Sequence, residues 1–198
     1  WFKMSSIMIL LLIGVAAIVL LIVAIIAFVW TSYNKLVKLR NRVDEGFAQI
    51  STQLQRRFDL IPNLVETVKG YAKHEDSVFE KVTNARAQAG AALQEGSIEG
   101  ATEARHQLDK AAVSINAVAE NYPDLKASAN FINLQEELTS TENKVSFARQ
   151  NYNENVNAYN TARQSFPTNL VAKFGNFEAR DFFDVETEEA RVAPKVSF

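Results

Sequence analysis

The chain has 198 residues, 21 Lys and Arg against 23 Asp and Glu, a formal net charge of −2, and no cysteine. Without cysteine there are no disulfides, no thiolate chemistry and no cysteine-ligated zinc. The mild acidity argues against a nucleic-acid partner, which usually meets a basic face. With 7 Gly and 4 Pro, loop-forming residues are too few for a β protein, so an all-α fold is expected.

The first element is the uncharged apolar run Ile7 to Trp30. At roughly 1.5 Å per residue its helix reaches about 36 Å, and a hydrocarbon core is about 30 Å thick. Most of its residues are Leu, Ile, Val or Phe, each favouring insertion by roughly 0.3 to 0.6 kcal/mol with no charge in opposition. A cleavable signal peptide would have a shorter apolar core of about 7 to 15 residues. Trp30 and Tyr33 read as interfacial anchors at one face, with Trp1 and Phe2 at the other. Lys35, Lys38, Arg40 and Arg42 follow the run and Lys3 precedes it. That excess favours a cytoplasmic C-terminal part in a single-pass membrane protein, with a short N-terminus outside. The chain opens on Trp1 rather than Met, so natural residues are expected before it. Gly14, Ala17 and Ala24 share an approximate heptad face, where small residues let membrane helices approach closely.

No Pro or Gly separates Trp30 from Arg42, so the membrane helix should run straight into the first bundle helix. There, Leu36, Leu39, Val43, Phe47, Ile50 and Leu54 recur at three- and four-residue steps as an apolar stripe. Pro62 removes a backbone donor and disfavours helical geometry at Ile61, so a break is expected across Asp59–Asn63, with Asp59 capping a second helix. That helix should fade near Gly90, leaving a loop from Gly96 to Gly100. A third helix from near Glu99 buries Leu108, Ala111, Ala112, Ile115, Val118, Ala119 and Tyr122 until Pro123 stops it. The fourth is the longest, from about Asp124 to Ser165. Its seam is Phe131, Leu134, Leu138, Thr141, Val145, Ala148, Tyr152, Asn155, Tyr159, Ala162 and Phe166.

After Pro167, Leu170–Gly175 reads as a short helical turn. Phe177, Phe182, Phe183 and Phe198 then alternate with acidic residues, too many aromatics for a solvated tail. The expected organisation is a membrane anchor at 1–30, a bundle of about four antiparallel helices, elongated and coiled-coil-like, at 31–167, and a tail at 168–198. The tail is expected to pack on the bundle or on a neighbouring subunit.

No residue set singles out catalysis. His74 and His106 have no partner at metal-ligand spacing, and no phosphate loop or nucleophile elbow occurs. No enzyme activity, cofactor or metal is expected. Two local features carry the candidate partner or assembly residues. One is the charged corner around Arg56, Arg57, Asp59 and Pro62. The other is the Asn-rich late helix, where Asn155 in the seam could fix register and Tyr152 and Tyr159 flank it.

Several segments resemble the bacterial LemA family. They are Tyr33–Val37, Leu39–Glu45, Arg56–Glu75, Tyr152-Asn153, Tyr159-Asn160, Ser165-Phe166-Pro167 and Ala193–Phe198. Gly46 departs from the alanine expected there and places a helix-weakening residue in the first seam. The resemblance implies a single-pass membrane protein with a cytoplasmic or periplasmic helical bundle and no catalytic residues. It also implies association with other membrane proteins, among them an HtpX-type metalloprotease, and a link to magnetosome formation. The function expected is a non-enzymatic membrane scaffold or adaptor that self-associates, contacts lipid and recruits membrane proteins. A membrane-organising or lipid-handling helical protein is the alternative.

Overall fold

The computed structural model describes residues 2–183, with side chains from Met8 onward. The expected C-terminal motif and the acidic residues Asp184, Glu186, Glu188 and Glu189 lie outside the described residues. Six helices occur and, among the described residues, no strand. They are α1 (Phe2–Lys69), α2 (Asp76–Gln94), α3 (Ile98–Glu120), α4 (Pro123–Lys126), α5 (Ala129–Gln164) and α6 (Thr168–Phe174). The all-α class, the long apolar N-terminal helix and the helical bundle are as the sequence predicts.

Every large apolar side chain of α1 from Met8 to Trp30 is exposed. Beyond Ser32 the pattern inverts. Leu36, Val43, Ile50 and Leu64 are buried at steps of seven, with Arg57 in the same series. Phe47 is half-buried, and the inward position beside it belongs to Gly46. A Cβ on Gly46 would stand 3.3 Å from the Tyr152 Cα. Glycine here lets α5 approach α1 closely, which accounts for a helix-weakening residue in the seam.

The expected break at Asp59–Asn63 does not occur: Pro62 lies inside α1. An interior proline costs about 3 kcal/mol. Around it Leu60, Ile61, Leu64 and Val68 are all buried, each stabilising the helix's packing by roughly 1.5 to 3 kcal/mol. Burial on both sides therefore outweighs the lost donor. The chain turns later, at Gly70–Glu75, where the Lys69 ammonium stands 5.4 Å from the Phe79 ring centroid.

Past Gly90, α2 continues to Gln94. Gly90 and Arg86 bracket the Phe58 ring, the guanidinium 4.2 Å from its centroid. Gly96 ends the helix at a positive φ of 63°, a conformation that favours glycine. The Ser97 side chain then accepts from the Gly100 N–H at 2.9 Å and caps α3, which packs along α2. Pro123 both follows the end of α3 and opens α4, where Leu125 is fully buried. α5 accordingly starts at Ala129 rather than Asp124.

On α5 the seam positions Phe131, Leu138, Thr141, Val145, Ala148, Tyr152 and Tyr159 are buried. The position assigned to Asn155 is filled instead by Val156, fully buried, and Phe166 beyond the helix end is 80% exposed. An α-helix drifts about 20° per heptad against a strict seven-residue repeat, so the stripe steps from Tyr152 by four and then three residues.

Packing divides the chain into two compact units. The first comprises residues up to Asn41 together with Asn157–Arg180. The second comprises Arg42–Val156 and the chain from Asp181.

Candidate functional site

Three constructions stand out, two in the second unit and one shared in kind by both. The first is an ion cluster around Arg57. Its side chain is 5% exposed, and Nη1 lies 2.6 Å from Asp109 and 2.5 Å from Glu142. Arg105 stands 3.8 and 3.7 Å from the same two carboxylates. Helices α1, α3 and α5 thus each contribute charge, and two cations balance two anions. Removing one partner of so buried a group leaves uncompensated charge, so the cluster fixes which faces meet. Arg56 points outward to Glu137 at 3.0 Å, Asp59 accepts from Gln55 at 3.0 Å, and Pro62 is half-buried. Of the predicted corner, Arg56, Arg57 and Asp59 are thereby engaged by the chain itself, and the adjacent Leu60 and Ile61 are buried.

The second construction is repeated at two Tyr-Asn pairs of α5, seven residues apart. In the first unit the Tyr159 hydroxyl donates to the Glu178 carbonyl at 2.8 Å. Asn160 donates to the Arg180 carbonyl at 2.8 Å and accepts from its N–H at 3.1 Å. In the second unit Tyr152 donates to the Asp181 carbonyl at 2.9 Å. Asn153 donates to the Phe183 carbonyl at 3.1 Å and accepts from its N–H at 2.9 Å. Phe177 is buried in the first unit, with its ring 5.3 Å from Tyr33, and Phe183 is buried in the second. Asn155 is half-buried and its amide reaches Asn151 at 3.4 Å. Within the Asn-rich stretch, Asn153 and Asn160 are therefore explained by side chains gripping main chain, a role that residue type alone did not reveal.

The third is a groove of about 1320 Å³ in the second unit, between α1, α3 and α5. Buried Ala119, Phe131 and Ala148 lie beneath it, and Ile132 and the 72% exposed Phe147 line it. Glu45, Glu120, Glu136, Lys126 and Lys144 supply charge along it. The Gln53 Oε1 in its wall is buried with no hydrogen-bond partner. Apolar lining with a charged margin suits an amphipathic helix. No sequence period marked this groove, because it arises where three helices diverge.

Gly14, Ala17 and Ala24 are exposed on α1, and a Cβ on Gly14 would meet nothing within 4 Å. His74 and His106 are exposed on separate elements, and among the described residues no group of three His, Asp or Glu side chains could hold a metal. The Tyr122 hydroxyl donates to the Glu75 carboxylate at 3.1 Å, and this bond, with burial and the carboxylate's charge, holds the phenol above its usual value.

The sequence profile of the LemA family matches residues 46–198. Protein LemA of Metamycoplasma hominis is 26% identical over 87% of this chain and 82% of its own. Magnetosome protein MamQ 2 of Paramagnetospirillum magneticum is 24% identical over 83% of this chain and 69% of its own. Magnetosome protein MamQ of Magnetospirillum gryphiswaldense is 22% identical over the same shares. These likenesses fit a membrane-associated helical protein.

Proposed function

Since the chain belongs to the LemA family, we propose that it is a non-enzymatic, membrane-anchored scaffold that self-associates and recruits other membrane proteins. The observation that carries this reading is the inversion along α1. Its apolar side chains face outward over a bilayer's thickness and then inward within a closed bundle. Gly14, Ala17 and Ala24 provide the face on which spans of neighbouring copies pack. The groove beside Phe147 receives an amphipathic segment of a recruited protein, for which an HtpX-type metalloprotease is the first candidate. The protein resides in the bacterial inner membrane with the bundle in the cytoplasm, supported by the cations that follow Trp30.

The test is the mass of the full chain in a native membrane mimetic, alone and with Gly14→Leu and Ala17→Leu together. A discrete oligomer that the double variant dissociates supports the scaffold; a monomeric full chain refutes self-association. A membrane-impermeant thiol reagent applied to Val113→Cys in intact cells reports the side, and labelling there places the bundle outside the cytoplasm.

A further inference from the structure

The first unit carries an apolar face that no packing within it explains. Phe166, Leu170 and Phe174 recur at four-residue steps, and Phe166 and Phe174 are 80% and 91% exposed. The opposite side of α6, Val171 and Ala172, is buried. Leu170 and Phe174 on α6, with Phe166 in the turn just before it, form a local apolar cluster rather than scattered surface residues.

Its position is fixed by neighbours. A Cβ on Gly175, the residue after Phe174, would lie 3.3 Å from the Tyr33 ring, and the Phe177 ring packs edge-on against the same tyrosine. Tyr33 follows Trp30 by three residues, or about 4.5 Å of helix. The polar layer flanking a hydrocarbon core is about 5 to 7 Å deep on each side. Phe174 therefore stands at the depth where the apolar run of α1 emerges.

Charge agrees with depth. Between Thr31 and Asn41, and from Asn157 to Arg180, the first unit carries Lys35, Lys38, Arg40, Arg163, Lys173 and Arg180 against the single carboxylate Glu178. This portion is strongly basic in a chain whose net charge is −2, and so complements anionic headgroups. Lys173 sits within the α6 patch itself, placed to extend its ammonium toward phosphate while the rings insert.

We propose that α6 is a second membrane contact: Phe166, Leu170 and Phe174 insert into the interfacial layer of the leaflet from which α1 emerges, and the surrounding cations bind anionic lipid. This rests on α1 spanning the bilayer. Interfacial helices of this kind combine an apolar face with Lys and Arg at its border.

The chain has no cysteine, so single cysteines can carry an environment-sensitive fluorophore. The full chain is reconstituted into vesicles of equal parts phosphatidylcholine and phosphatidylglycerol, labelled at Phe174→Cys, Phe147→Cys or Ile18→Cys. The expected result is blue-shifted emission at position 174, quenched by lipids brominated near the headgroup. Position 147 should remain water-like, and position 18 should be quenched by deeply brominated lipids. Quenching at 18 with water-like emission at 174 overturns the α6 contact alone. No quenching at 18 overturns the span and this inference with it. Blue-shifted emission at 174 without lipid quenching means that protein covers the face, and also overturns it. Replacing phosphatidylglycerol with phosphatidylcholine should weaken the quenching at 174 and leave that at 18 unchanged; equal quenching would remove the role of the cations.

Discussion

The two halves of α1 share one unbroken helix, and their apolar side chains are turned inside out. From Met8 to Trp30 every large apolar side chain is exposed, whereas from Leu36 to Val68 the apolar side chains that recur at steps of seven, with their near neighbours, are buried. The first half is uncharged and apolar throughout, whereas the second carries Lys, Arg, Asp and Glu around one apolar stripe. The first half has no polar face and can satisfy itself only where the surroundings are apolar. The second half has one stripe, and that stripe needs other helices of the same chain. A segment apolar all round meets lipid, and one with a single apolar stripe meets protein.

The largest expected effect tests how strictly the second half closes. Arg57→Ala strips the buried cluster of its central cation and should destabilise the bundle by about 3 kcal/mol, the low end for a buried pair because both carboxylates are partly exposed. Urea unfolding of the full chain in detergent, followed by circular dichroism, measures it; an unchanged midpoint would mean that solvent already screens the cluster. A matched pair of substitutions then sharpens the contrast. Ile50→Ala should cost about 2 to 5 kcal/mol in the same assay. Ile18→Ala, on the lipid-facing half, should change insertion by only about 0.5 kcal/mol, and equal losses would break the contrast. The main-chain grip contributes less than the core: Asn153→Ala and Asn160→Ala should each cost about 1 to 2 kcal/mol, since each removes two hydrogen bonds. Hydrogen exchange should show faster exchange at Phe183 and Arg180 respectively.

The smallest effect is a pH dependence. The Tyr122 phenol has its folded value raised by the bond to Glu75, so the folded state favours the protonated form. The stabilisation is present below about pH 10, the unfolded value, and is lost as pH rises through the higher folded value. Absorbance titration should show a late-ionising tyrosine component that Tyr122→Phe reduces. If the variant titrates as the parent does, that bond does not persist in solution.

Much of this was legible in the sequence. The unbroken apolar run, the heptad stripes on α1 and α5, the αL glycine after α2 and the stop before Pro123 are all local signals. What was missed shares a cause. Pro62 obeys a local rule that the burial of Leu60, Ile61 and Leu64 overrides. Asn155 was placed in the seam by a strict period, whereas the helix's drift brings Val156 inward. The grips of Asn153 and Asn160 reach 30 and 20 residues along the chain, and the groove depends on three helices at once. No window of neighbouring residues contains such information.

One feature of α5 carries a consequence for tolerance to change. Tyr152, Asn153, Tyr159 and Asn160 make their described bonds to carbonyls and N–H groups, never to side chains. An asparagine amide presents the same donor and acceptor as a peptide group, so each pair treats the incoming segment as a bare backbone. Away from the rings that must be buried, an exposed residue such as Ala179 can vary in identity while the hold persists. Proline, which has no N–H to offer, would be refused at positions 180 and 183.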